Sequence, residues 1–224
     1  MIYNVINSGS DGNCTILNET IAIDLGISLK KLGDYAKKIK LVLLTHTHSD
    51  HFNAQAIRRL AIIHPKLKFV CLKHIVPELS KHVPKTSIYV LEENKLYDLG
   101  ICKLSAFPLT HDVPNNGWRI QIGNEKCIYA TDTTNLYGIT AKDYDLYLIE
   151  ANYDLEETLR RINEKRMNGE FAYEMRAMNN HLSKQQCDEF LQANMKNSSE
   201  YVYMHQHKEK QTNGKVEIDN NIQS

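Results

Sequence analysis

Apolar residues fall in short runs broken by small and polar ones, and the runs predict a chain that alternates strands with helices. Ile2, Val5 and Ile6 open a first strand, and Ser8-Gly9-Ser10-Asp11-Gly12-Asn13 follows as a turn of small residues. Residues 14–17 and 21–24 predict a hairpin around Asn18-Glu19-Thr20. Residues 28–39 predict a helix, with Leu29, Leu32, Tyr35, Ala36 and Ile39 at a 3–4 spacing behind Ser28 as N-cap. Leu41, Val42, Leu43 and Leu44 form an unbroken apolar run, the pattern of a strand buried on both faces. Asn53 caps a helix whose apolar side is Ala54, Ile57, Leu60 and Ala61, and residues 67–72 give another strand.

From Ser87 the pattern turns strand-rich. Residues 88–91, 95–99 and 102–109 read as short strands punctuated by Asn94 and Gly100. Residues 118–122 and 127–130 predict a hairpin around Gly123-Asn124. Residues 144–149 are a further buried strand, and residues 155 to about 170 a strongly charged helix. Ser183 and Gln186 spell a capping box for a helix through Cys187, Phe190 and Leu191. Residues 200–204 are the last strand, and 208–224 a polar tail, either a hairpin through Thr212-Asn213-Gly214 or disordered.

Composition narrows the class. The 224 residues are 42% hydrophobic and 24% charged, the profile of an ordinary globular chain. No linker, repeat or low-complexity stretch divides it, so one domain over residues 1–224 is expected. The 27 basic and 27 acidic residues cancel, which weighs against a chain that lives on long nucleic acid, where phosphate neutralisation dominates affinity. The five cysteines are odd in number and hold no C-x-x-C pair, a pattern of reduced thiols that points to the cytoplasm. Cys14, in the Gly-rich turn, reads more readily as a small buried hydrophobe than as a reactive thiol. No secretory leader and no 18-residue apolar run are present, so no membrane span is expected.

The candidate chemistry sits where the 41–44 strand stops. His46, His48, Asp50 and His51 place three imidazoles and a carboxylate within six residues, a donor set suited to borderline-soft divalent metal. In an extended segment His46 and His48 point to one side, while Asp50 and His51 follow at a turn into the next helix. That arrangement can feed two metals, one from each pair. His64, His74 and His82 fall outside any metal spacing and read as surface or packing residues.

His46-Thr-His48-Ser-Asp50-His51 resembles the HxHxDH signature of the metallo-β-lactamase fold metallo-hydrolases. Ser8-Gly9-Ser10-Asp11-Gly12-Asn13-Cys14 is similar to the SGSxGN start of the phosphodiesterase branch, which includes YycJ/WalJ-like, tRNase Z-like and phage anti-Pycsar phosphodiesterase-like proteins. The resemblance implies an α+β, four-layer αββα fold. It also implies two divalent metal ions, zinc or manganese. His46, His48 and His111 would hold the first, Asp50, His51 and His205 the second, and Asp132 would bridge. His205 directly follows the last strand, and His207 is the alternative. Asp24 matches an acidic residue that supports the metal loop. His181, paired with Glu150, matches a proton donor to the leaving group, and Asp50 also holds or deprotonates the nucleophile.

The function this implies is hydrolysis of nucleotide phosphodiester bonds, with the neutral charge and short length tilting to small cyclic nucleotides over a DNA or RNA nuclease activity. A glyoxalase II-like thioesterase is disfavoured by His181 and by the missing helical C-terminal domain, and a non-catalytic metal-bound scaffold by the complete ligand set. The substrate partner is thus a nucleotide or short nucleic acid. A homodimer is a further expectation from the relatives, and the charged 155–180 segment reads equally as a solvated helix or as a lid or dimer segment.

Overall fold

The computed structural model describes residues 1–172 and 174–206. The first half runs β1 (Tyr3–Asn7), β2 (Cys14–Leu17), β3 (Ile21–Ile23), α1 (Leu29–Leu32), β4 (Leu41–Leu43), α2 (Ala54–Ile63), β5 (Lys68–Leu72), α3 (Val76–Leu79) and β6 (Ile88–Leu91). The second runs β7 (Tyr97–Asp98), β8 (Lys103–Leu109), β9 (Asn115–Ile122), β10 (Glu125–Ala130), β11 (Leu146–Glu150), α4 (Leu155–Met167), α5 (Glu174–Asn180), α6 (Lys184–Asn194) and β12 (Glu200–Met204). Each half builds a six-stranded sheet, ordered β1-β2-β3-β4-β5-β6 and β12-β11-β10-β9-β8-β7.

The alternation of side chains across each strand explains the layers. Leu41 and Leu43 point between the sheets, where they meet Leu104, Trp118, Tyr129 and Leu148 of the facing sheet. Val42 and Leu44 point the other way, to Leu32 of α1 and Ile57 and Leu60 of α2. In the second sheet Cys127 and Tyr129 face inward, while Ile128 and Ala130 pack with Cys187, Phe190 and Leu191 of α6. Three apolar layers between four structural ones make the expected αββα sandwich, and the apolar run at 41–44 is buried on both faces as its pattern implies.

Several elements differ from their sequence pattern. The helix expected over 28–39 is α-helical only in α1. Gly33, at φ +60°, then breaks it, and residues 33–37 continue as a 3-10 turn. β9 starts at Asn115, earlier than expected, because its first two residues are asparagines that read as polar yet are buried. Residues 95–99 yield only the two-residue β7. The charged helix ends as α4 at Met167, and α5 follows as a separate element. The capping box at Ser183 and Gln186 is present, with the Ser183 side chain accepting from Gln186 N–H. Residues 207–224, with the expected tail and the His207 alternative, lie outside the described residues.

Parallel pairing sets where the site forms. β3, β4, β5 and β6 run one way in their sheet, and β10, β11 and β12 run parallel in theirs. Their C-terminal ends therefore gather along a seam, and the β11–β12 register places Glu150 opposite Met204, directly before His205. Within the second sheet Gly117 of β9, paired with Phe107 of β8, accepts that ring: a Cβ there would lie 2.3 Å from Phe107 Cζ and 2.8 Å from the Tyr129 carbonyl oxygen. Gly117→Ala is expected to lower stability by about 1–3 kcal/mol through overpacking. The check is urea unfolding, which should move to a lower midpoint with an unchanged slope.

Candidate metal centre

The loop after β4 carries His46, His48, Asp50 and His51, and the Gly-rich turn before β2 holds it in place. Asn13 N–H donates to the Asp50 carbonyl, and its side-chain nitrogen lies 2.8 Å from His51 Nε2. Gly26 touches the loop so closely that a Cβ would fall 1.7 Å from the Asp50 carbonyl oxygen. The turn thus acts chiefly as a brace beneath the loop, with Ser10 reaching the cavity above it.

Asp24, directly after β3 and fully buried, accepts Thr45 N–H at 2.9 Å, the Thr45 hydroxyl at 2.9 Å and His51 Nδ1–H at 2.7 Å. With Nδ1 donating, His51 keeps a lone pair on Nε2. Thr45 gives its one hydroxyl proton to Asp24, so it accepts from His46 Nδ1 at 3.0 Å, and His46 likewise keeps its lone pair on Nε2. His111, in the loop between β8 and β9, donates Nδ1–H to the Asn180 carbonyl at 3.2 Å and turns Nε2 toward His48 Nδ1, 3.4 Å away. His205 is steadied by Asn152, whose side-chain nitrogen donates to the His205 carbonyl at 2.7 Å, and by its own N–H to Ser8 Oγ at 2.6 Å.

The predicted residues come together. His46, His48 and His111 form one group of donor atoms within 4.8 Å of one another, and Asp50, His51 and His205 form another. Asp132 groups with His46 and His51 in a third set and with Glu150, His181 and His205 in a fourth, so it lies between the two triads. His181 Nδ1 is 2.7 Å from Glu150 Oε1, and the Glu150 carboxylate also accepts Thr133 N–H at 2.9 Å and Leu182 N–H at 3.2 Å.

Electrostatics and unmet hydrogen bonding both fit a cation. Among the described residues, the buried His46 Nε2 has no hydrogen-bond partner, a costly arrangement unless something else meets it, and Asp132 Oδ2 lies 2.8 Å from His51 Nε2. Burial opposes charge on His51, but Asp132 and Asp24 outweigh it and raise its pKa well above the imidazole range. Burial likewise opposes charge on His205, and Asp132 with Asp50 and Glu150 raises it to about 10. His46 is lowered, first by burial and then by its imidazole neighbours. Burial opposes charge on His181 too, yet the Glu150 hydrogen bond and charge lift it above its ordinary value. Carboxylates that draw positive charge into a pocket of imidazole lone pairs suit divalent metal ions.

Sequence reasoning missed several residues here. Asn152 and Asn180 act through single polar contacts that no motif spacing announces. Asp112 sits beside the first triad, 3.1 Å from His111 Nε2 and 3.5 Å from His48 Nε2, and its adjacency to His111 was the available signal. Arg176 also lines the cavity. His74 packs behind the loop, with Nε2 3.2 Å from the Thr45 carbonyl oxygen. Cys14 is buried and its thiol pKa raised by burial, which leaves it unreactive.

The αββα sandwich and the His/Asp cluster at its seam define the class of metal-dependent hydrolases with the metallo-β-lactamase fold. The description "Beta-lactamase superfamily domain" matches residues 25–205, and the chain belongs to that superfamily. Solved structures share the fold. The metallo-beta-lactamase fold protein YhfI from Bacillus subtilis has a TM-score of 0.71 at 16% identity, over 91% of this chain and 85% of that one. Human tRNase Z, short form, has a TM-score of 0.66 at 15% identity over 92% of each chain. Zn(2+)-bound PqqB from Methylobacterium extorquens has a TM-score of 0.54 at 11% identity, over 73% of this chain and 77% of that one. No curated protein matches the sequence. No described helix is long and apolar enough to cross a membrane.

Asp24→Ala should leave His51 without its Nδ1 partner and weaken metal binding by about 10–100-fold. Competition with a chromophoric chelator measures this directly, and unchanged affinity would remove Asp24 from the account.

Proposed function

We propose that the protein is a phosphodiesterase that uses two divalent metal ions to hydrolyse nucleotide phosphodiester bonds, with small cyclic nucleotides as substrates. The observation that carries this reading is the His181–Glu150 pair beside the His/Asp cluster. His46, His48 and His111 would hold one ion, Asp50, His51 and His205 the other, with Asp132 shared between them. When bound, such ions favour deprotonation of a water nucleophile near neutral pH and offset charge on phosphoryl oxygens. The imidazole and carboxylate donors suit zinc, with manganese accepted as well.

The chain's own residues supply the rest. Asp50, half-buried at the cavity wall, is placed to orient the attacking water and take its proton. Glu150 is fixed by two backbone N–H groups and fixes His181 in turn through Nδ1, and His181 lines the cavity with its other nitrogen left free of Glu150. A protonated His181 gives its proton to the departing alkoxide oxygen. A thiolate leaving group needs no such help, which favours a phosphodiester over a thioester.

The cavity volume of about 450 Å³ falls in the range for small ligands, and the balanced charge offers no general attraction for a polymer. The polymer-nuclease reading keeps one observation in its favour, the shared fold with a tRNase.

The test is a paired assay with Zn²⁺ or Mn²⁺, using 3′,5′-cyclic nucleotides in one arm and labelled DNA and RNA in the other. Turnover of cyclic nucleotides that is lost in Asp50→Ala is expected. Degradation of polymers alone would establish a nuclease, and no Asp50-dependent hydrolysis in either arm would overturn the reading. His181→Ala should lower kcat on a cyclic nucleotide by about 10²–10⁴-fold. It should affect bis(p-nitrophenyl) phosphate far less, because p-nitrophenolate departs without a proton.

A further inference from the structure

Arg176 takes no part in the site as assembled above, yet it lines the same cavity. It lies in α5 four residues before Asn180, so the two share a helix face. Asn180 holds His111 through its carbonyl oxygen, and His181 follows directly. The element that steadies a metal-site imidazole and delivers the proposed proton donor therefore also carries a guanidinium toward the reaction space.

Among the described residues, that guanidinium is the sole lysine or arginine side chain on the cavity wall. Ser10, Asn152, Asn180 and Gln206 supply neutral polar groups, and Asp50, Asp112 and Asp132 the carboxylates. Nearby acids of the α4–α5 excursion are engaged elsewhere, Glu157 with Arg161 and Glu174 with Lys165. Among the described residues Arg176 has no ion pair. Arg176 is exposed on its helix, and it borders the open cavity that an anion must enter.

We propose that Arg176 is a substrate-binding residue whose guanidinium takes an anionic phosphate oxygen at the cavity mouth, beside His181. The planar fork of donors matches a phosphate in a way an ammonium does not. The assignment rests on the phosphodiesterase reading and adds a residue that acts in ground-state binding and not in proton transfer.

The experiment compares wild type, Arg176→Ala and Arg176→Lys as metal-loaded proteins, by steady-state kinetics on the cyclic nucleotide and by calorimetric titration with a nucleoside monophosphate and the uncharged nucleoside. Arg176→Ala should raise KM and weaken monophosphate binding about 10–100-fold, the range of a charge-assisted hydrogen bond. Its kcat should stay within about threefold, as for loss of an interaction made equally in ground and transition states. Metal content, melting temperature and nucleoside binding should not change, and Arg176→Lys should keep part of the affinity. Equal KM and equal monophosphate affinity in Arg176→Ala, with an active wild type, would overturn the Arg176 assignment alone, as would loss of metal from the variant. A wild type that neither hydrolyses nor binds nucleotides would overturn the phosphodiesterase reading and this assignment together.

Discussion

The Asp24 carboxylate is the interaction on which the site depends. It is fully buried, and an isolated charge at such a place is prohibitively costly. Its compensation comes from the structure around it: Thr45 N–H and hydroxyl, His51 Nδ1–H, and the Tyr129 hydroxyl at 3.4 Å. Asp24 and Thr45 belong to strand ends of the first sheet, and Tyr129 to β10 of the second. One carboxylate thereby ties the two sheets and, through Thr45, sets the tautomer of His46 as well as that of His51. Two donor nitrogens of the cluster are aimed by a residue outside it.

The Gly-rich turn has a similar part. Its sequence reads as a turn of small residues. The structure gives it a specific task, because Gly12 passes within a Cβ's reach of Gly26, and Asn13 grips the Asp50 carbonyl and the His51 imidazole. Small residues at these positions let the turn and the metal loop lie against each other without an intervening side chain.

Much of this was legible because it rests on repetition or spacing. The run at 41–44 announced a doubly buried strand, and HxHxDH announced the donors that follow it. Ser183 and Gln186 announced α6 through capping chemistry that needs only local residues. What stayed hidden depends on tertiary partners. Asn115 and Asn116 look like loop residues until Thr131 and Asp132 offer carbonyl groups to the Asn115 amide and the strand closes over both. Asn152 becomes a brace for His205 only when β11 and β12 lie side by side. The helical spacing through Tyr35 and Ala36 was real, but the backbone at Gly33 leaves the helical region and outweighs it. His205 was preferred on its position at a strand end, and its Nε2 lies 3.5 Å from both Asp50 and Asp132.

Asp24, Asp132 and His205 share a backbone feature: each follows closely on a strand and has positive φ, at +57°, +58° and +53°. For an L-residue that region costs roughly 1–2 kcal/mol, although asparagine, aspartate and histidine enter it more readily than most. A sequence shaped only by folding would place glycine or asparagine at such a corner. Histidine at 205 therefore sits at a corner that costs backbone free energy, and Ser8 and Asn152 hold it there through its N–H and carbonyl groups.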